Sequence, residues 1–289
     1  MRYMIFMSFL FMTISGQLSA FDKKVLCPKE TIVVSIAPYK FLTKRIVEDT
    51  FNVMTIVPGN ADPHTYELSL RQVLKLKNAR LWFKIGESFE GICSRSLGKS
   101  TNCDIVDLRD NLSLIPLTSG CGKNCEVSTY DSHVWLSPNL LKKQAAAITA
   151  CVSNINPDCR KQYESNLKKI LLELDELHKE VLRIFENSDR SIPIIVTHGA
   201  YSYFCQDYLL KQVAVEKPSS AEPSLKEIMA ILHIAKTHPI SKIFLQKQTG
   251  TRQGLVLAHK LKLKPIILDP YAENVFENIK IIALAFASP

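Results

Sequence analysis

The sequence is short of the features that mark most specialised chains. It has no glycine- or serine-rich linker, no low-complexity tract and no repeat of solenoid period, which excludes a beads-on-a-string or repeat architecture. Beyond the first twenty residues no apolar run is long enough to cross a bilayer as a helix. There is no arginine-rich stretch interleaved with aromatics, so nucleic-acid binding is not expected in spite of a formal charge of +8. The spacings contain no CxxC and no HExxH, so neither a cysteine-pair zinc site nor the paired-histidine helix of many zinc hydrolases is encoded. The basic excess is spread along the chain and reads as a solvated surface, with an anionic membrane face or an acidic docking partner as the alternative.

What is present begins with residues 1–20, MRYMIFMSFLFMTISGQLSA, which read as a secretory signal: Arg2, an apolar run over residues 4–14, then small and polar residues ending at Ala20. An uncleaved anchor is the alternative. No lipid-acceptor cysteine stands at the expected cleavage point, so a periplasmic location is the simplest expectation. The 289 residues allow one large domain or two modest ones, at ordinary globular composition. Eight cysteines (27, 93, 103, 121, 125, 151, 159 and 205) in an exported chain suggest disulfides, with the local pairs Cys93/Cys103, Cys121/Cys125 and Cys151/Cys159 costing least; buried free thiols are the competing reading.

Two sets of short β-branched runs flank one long helical pattern. The first set covers residues 31–36, 54–58, 81–86 and 104–108, the second 192–197, 212–216, 242–246 and 265–268. Most are continuous apolar runs, as strands buried on both faces require, and helical patterns fill the gaps at 69–77, 139–152 and 224–236. Ser137-Pro138 predicts a capped helix start, and Ser224 with Glu227 a capping box. Residues 163–187 hold no glycine or proline and repeat apolar residues at helical spacing. The fold expected is α/β: two parallel-sheet lobes, residues 21–160 and 189–289, joined by one long backbone helix over 161–188.

Of seven histidines, His178, His233, His238 and His259 sit in helical or solvent-like contexts and read as structural. His64 lies in a turn-rich loop after the strand at 54–58, His198 ends the strand at 192–197, and Asp269 follows the strand at 265–268. In open α/β sheets ligands bind beyond the carboxyl ends of strands. His133, just before a helix start, could face the same crevice. Taken alone, a histidine at a strand end is more often a hydrogen-bonded structural group and Asp269-Pro270 more often a turn signal; the set of three imidazoles and one carboxylate, two before the long helix and two after it, points to a metal site.

The segments VPGNADPHTYELS (57–69), DSHVWLSP (131–138) and VTHGAYSYF (196–204), the AEPS turn (221–224) and the closing strand with Asp269 resemble, in order and spacing, the zinc and manganese solute-binding receptors of ABC transporters, cluster A-I class. The resemblance covers essentially the whole mature chain. It implies two α/β lobes on one backbone helix, with His64, His133, His198 and Asp269 as metal ligands. It implies no catalytic residue, a divalent metal ion as cargo and the membrane permease of an ABC importer as partner; a monomer is the simplest state. Three imidazoles lean towards zinc, with manganese or iron(II) next. Glu67 and Asp131 are expected to orient the histidine rings. Two departures stand out: the stretch 118–130 carries Cys121 and Cys125 but no histidine, whereas zinc-dedicated members often have a histidine-rich loop there, and no lipid anchor is evident. The rival readings are a zinc-dependent hydrolase with an open metal position and a metal-stabilised surface adhesin.

Overall fold

The computed structural model describes residues 29–97, 102–117, 130–215, 225–249 and 251–287. Residues 1–20, read above as a signal, Cys27, Cys121, Cys125, the stretch 118–129 and the AEPS sequence with its expected capping box lie outside the described residues.

The first lobe is built from β1 (Thr31–Val34), α1 (Ala37–Val47), β2 (Asn52–Thr55), α2 (Leu70–Lys77), β3 (Leu81–Lys84), α3 (Ser88–Leu97) and β4 (Asp104–Asp107), with α4 (Pro138–Ile155) leading into α5 (Arg160–Ile184). The second comprises β5 (Ile194–Val196), α6 (Ser202–Tyr208), β6 (Gln212–Ala214), α7 (Leu225–Thr237), β7 (Lys242–Gln246), α8 (Thr251–Leu261), β8 (Lys264–Leu268) and α9 (Val275–Ala287). The described strands form two sheets, ordered β2-β1-β3-β4 and β6-β5-β7-β8, and every pairing is parallel. Val33 lies opposite both Met54 and Trp82, which sets the register of the first sheet. In each sheet the chain steps outward one way and then returns past its first strand, so a switch point opens beside β1 and another beside β5. The crevice between the lobes collects the loops at these strand ends.

The strand residues follow from burial on both faces: Ile32, Val33 and Val34 are all buried, as are Ile194, Ile195 and Val196. Helix α4 starts where expected, Ser137 Oγ accepting from the Leu140 N–H at 3.1 Å with proline in the first turn. Helix α5 is 25 residues, about 37 Å at 1.5 Å per residue. Its buried stripe, Tyr163, Asn166, Ile170, Leu174, Leu177 and Val181, advances by three and four, so one face is buried along the helix. That face packs on α1 and α4 at one end and on α9 at the other. The consequence is a single apolar core that includes β1, β3 and α4 together with Val196, Phe204, Phe244 and α9, while a smaller cluster around Ile195, Ile243 and Leu245 serves the outer side of the second sheet.

Hydrogen bonds cross between lobes as well. Trp135 Nε1–H donates to Pro270 O at 2.8 Å, and the Tyr203 hydroxyl accepts from Ile115 N–H at 3.0 Å while donating to Asp131 O at 2.9 Å.

The cysteines depart from expectation. No disulfide joins Cys93, Cys103, Cys151, Cys159 or Cys205, so the pairs Cys93/Cys103 and Cys151/Cys159 are not made. Cys93, Cys103 and Cys205 are buried core residues, behaving as small apolar side chains. Burial pushes the Cys103 thiol up to about 11 and that of Cys205 to about 12, which removes thiolate reactivity.

Candidate metal centre

Three loops and one strand end carry the site. After β2 the chain makes a single helical turn, Pro63–Thr65, capped by Asp62: its carboxylate accepts from His64 N–H at 3.1 Å and from Thr65 Oγ1 at 3.2 Å. This fixes the backbone of His64 independently of its ring. The ring is fixed by Glu87, whose Oε2 is 2.8 Å from His64 Nδ1.

Glu87 itself stands just past β3 in a turn that only glycine permits. Gly86 has φ +88, and a Cβ there would lie 1.8 Å from the Arg109 guanidinium carbon. The buried Glu90 carboxylate accepts from the backbone N–H groups of Ile85, Gly86 and Glu87, holding the turn closed. The second oxygen of Glu87 accepts from Ser132 Oγ at 2.8 Å, so one carboxylate ties the His64 loop to the His133 loop.

His133 is buried. Asp131 Oδ1 accepts both its backbone N–H at 2.9 Å and its ring Nδ1–H at 2.7 Å. The turn Val134–Leu136 then anchors the loop through Trp135. His198 stands two residues past the end of β5 and is half-buried.

The three rings meet in the crevice. Centroids are 5.1 Å apart for His64–His133, 4.9 Å for His64–His198 and 5.2 Å for His133–His198. One ring nitrogen from each lies within 4.8 Å of the others, and His64 Nε2 is 3.2 Å from His198 Nε2. A carboxylate can only accept, so Nδ1 of His64 and of His133 carries the hydrogen, and in the neutral rings each Nε2 turns a lone pair inward. The arrangement thus offers several inward lone pairs, with two buried carboxylates behind them. Such a set is completed by a cation.

The charges are coupled to this geometry. Burial works against protonation of His64, but the Glu87 hydrogen bond and charge outweigh it and raise its pKa. For His133 burial prevails over Asp131, and its pKa is lowered. Burial opposes ionisation of Glu87 and Asp131, yet their histidine partners hold both below the usual carboxylate range.

The structure brings His64, His133 and His198 together but does not bring Asp269 into the cluster. Its Oδ2 accepts from Lys247 Nζ at 3.0 Å, and its Oδ1 from Gln248 Nε2 at 2.7 Å and Tyr271 N–H at 3.0 Å. These donors neutralise it and fix it at the rim. Glu67, expected beside His64, is exposed, and Glu87 holds that ring instead. Glu87 was legible in principle: it follows the strand at 81–86, by the same strand-end rule that singled out His198. Among the residues that sequence reasoning missed is also Tyr271, whose hydroxyl is 3.2 Å from Nε2 of both His64 and His133. His178, by contrast, has the structural role expected of it, its Nδ1 3.1 Å from the Tyr208 hydroxyl.

Two parallel-sheet lobes on a long helix, with imidazoles from both lobes meeting at the strand ends, define the class of metal solute-binding receptors of ABC transporters. The chain belongs to the family described as zinc-uptake complex component A, periplasmic, whose model matches residues 32–280. It is 38% identical over 260 residues to a putative metal-binding protein of Chlamydia trachomatis, covering 90% of this chain and 91% of the relative. It is 26% identical over 247 residues to the high-affinity zinc uptake system protein ZnuA of Bacillus subtilis, covering 82% and 77%. Among solved structures, a zinc-bound deletion mutant of ZnuA superposes with TM-score 0.82 at 31% identity, covering 90% of this chain and 97% of that one.

Proposed function

We propose that this protein captures a zinc ion on His64, His133 and His198 outside the cytoplasm and delivers it to the permease of an ABC importer. The observation that carries the reading is the convergence of one ring nitrogen from each histidine within 4.8 Å, with the Nδ1 atoms of two of them turned outward to carboxylates. Three imidazole nitrogens suit zinc better than manganese, which favours harder oxygen-rich sites. The ligands come from both sides of the crevice, so bound metal bridges the lobes. The shared core and the bond from Trp135 to Pro270 oppose a wide hinge motion, and capture and release proceed by movement of the loops that carry His133 and His198.

The test is direct titration of the metal-stripped protein, as a monomer, with zinc against a competing chelator. The expected result is one tight zinc site per chain that His133→Ala abolishes, with the stripped protein remaining folded. A chain that binds no zinc, or a His133→Ala variant that binds as well as the native protein, refutes the assignment. Metal that cannot be removed without unfolding refutes a receptor role and leaves a structural zinc.

A further inference from the structure

Three imidazoles leave a four-coordinate ion one corner short. Asp269 stands outside the three-histidine cluster, its oxygens accepting from Lys247, Gln248 and the backbone of Tyr271. Two residues further on, the side chain of Tyr271 enters the site. Its hydroxyl lies 3.2 Å from His64 Nε2 and 3.2 Å from His133 Nε2, and the His64–His198 separation is also 3.2 Å. We infer that the Tyr271 hydroxyl oxygen is the fourth donor of the metal site and limits the bound ion to four-coordination; this rests on the three-histidine reading above.

Three arguments support it. The first is metric. Ligands at 2.0–2.1 Å around a tetrahedral zinc ion stand about 3.3–3.4 Å from one another, and the three short edges match that spacing closely. The same edges would also suit neighbouring corners of an octahedron, so distance alone does not choose the geometry.

The second argument is the wall behind the tyrosine. Tyr271 is 3% exposed and its ring packs 5.3 Å from that of Trp135, which in turn lies 5.1 Å from the His133 ring. An aromatic wall on this side takes the space where the additional waters of a six-coordinate ion would stand. Manganese, which favours six oxygen-rich ligands, is disfavoured by the wall as well as by the imidazoles.

The third is the hydrogen-bond count. Nε2 of His64 and of His133 both point lone pairs at the hydroxyl, and a single O–H can donate to only one of them. His198 Nε2, 3.2 Å from His64 Nε2, is the second donor within reach, and an ion that takes the nitrogen lone pairs replaces both hydrogen bonds. When it does, the hydroxyl hydrogen turns away and an oxygen lone pair faces the ion.

The experiment compares native protein, Tyr271→Phe, Tyr271→Ala, Asp269→Asn and His198→Ala, using zinc, manganese and cobalt(II) as the metals added. Tyr271→Phe keeps the ring and removes only the oxygen, so folding is preserved. The expected results are a zinc affinity about tenfold lower in Tyr271→Phe and a changed visible spectrum of its cobalt(II) form, while Asp269→Asn leaves the cobalt spectrum unchanged. Tyr271→Ala, which opens the wall, should narrow the zinc-to-manganese preference by about tenfold. An unchanged zinc affinity and cobalt spectrum in Tyr271→Phe overturns the inference. So does a spectrum altered by Asp269→Asn and not by Tyr271→Phe, which would give the corner to Asp269. Failure of the underlying reading looks different: His198→Ala would then bind zinc as the native protein does, whatever the tyrosine variants show.

Discussion

Replacing Glu87 by glutamine tests how much of the metal affinity comes from a residue that never touches the metal. The side chain keeps its shape, and its carbonyl can still accept from His64 Nδ1–H, but the charge is gone. With Oε2 2.8 Å from Nδ1 and the ring and metal bond beyond it, the carboxylate would sit about 7 Å from a bound divalent ion. At an effective dielectric of 20 the Coulomb attraction over that distance is about 5 kcal/mol, which is an upper bound because solvent and protein dipoles relax when the charge is removed. Losses measured for partners of this kind are about 10–100-fold in affinity, or about 1.4–2.7 kcal/mol. The expected outcome is a loss in that range. It is read by chelator competition and by thermal melting with and without zinc, where the zinc-induced rise in Tm should shrink by about 3–11 °C. The stripped protein should melt somewhat lower than the native one, since the Glu87 carboxylate, held below its usual range by its bonds to His64 and Ser132, contributes folding stability as a charge. Glu67→Gln, at an exposed position, is the control and should change nothing. Full zinc affinity in Glu87→Gln, or a loss confined to Glu67→Gln, would refute the reasoning.

Zinc affinity should fall as pH drops from 7.5 to 5.5, because the ion needs unprotonated imidazoles. His64, whose pKa is raised by Glu87, takes up its proton first, whereas His133, lowered by burial, stays neutral further down. Below the His64 pKa the loss is about tenfold per pH unit for each proton displaced; a flat profile by titration calorimetry would contradict a histidine site. Trp135→Phe removes the donor to the buried Pro270 carbonyl and should destabilise the stripped protein by about 1–3 kcal/mol in urea unfolding; an unchanged midpoint would show that this bond between lobes contributes nothing net.

Strand positions, the capped start of α4 and the single long helix could all be read from local pattern. Each follows from forces acting within a few residues: burial of continuous β-branched runs, Ser137 over the first turn of α4, and a three-and-four apolar stripe from Tyr163 to Val181. His198 was visible for the same reason, since a strand end in a parallel sheet is a place that sequence can mark. The cysteine pairings were not legible, because burial in a common core, which left Cys93 and Cys103 as packed thiols, depends on the neighbours a helix acquires in three dimensions.

The sequence by itself determined the two α/β lobes and the helix between them, and through the family resemblance it marked His64, His133 and His198 as candidates. Only the tertiary structure decided what surrounds those histidines. Glu87 reaches His64 across 23 residues and Tyr271 reaches it across 207, while Lys247 and Gln248 hold Asp269 at the rim. The physical reason is that a side chain's partner is whichever group the packing of distant segments places within about 3 Å of it. Local propensity and periodicity carry no information at that range.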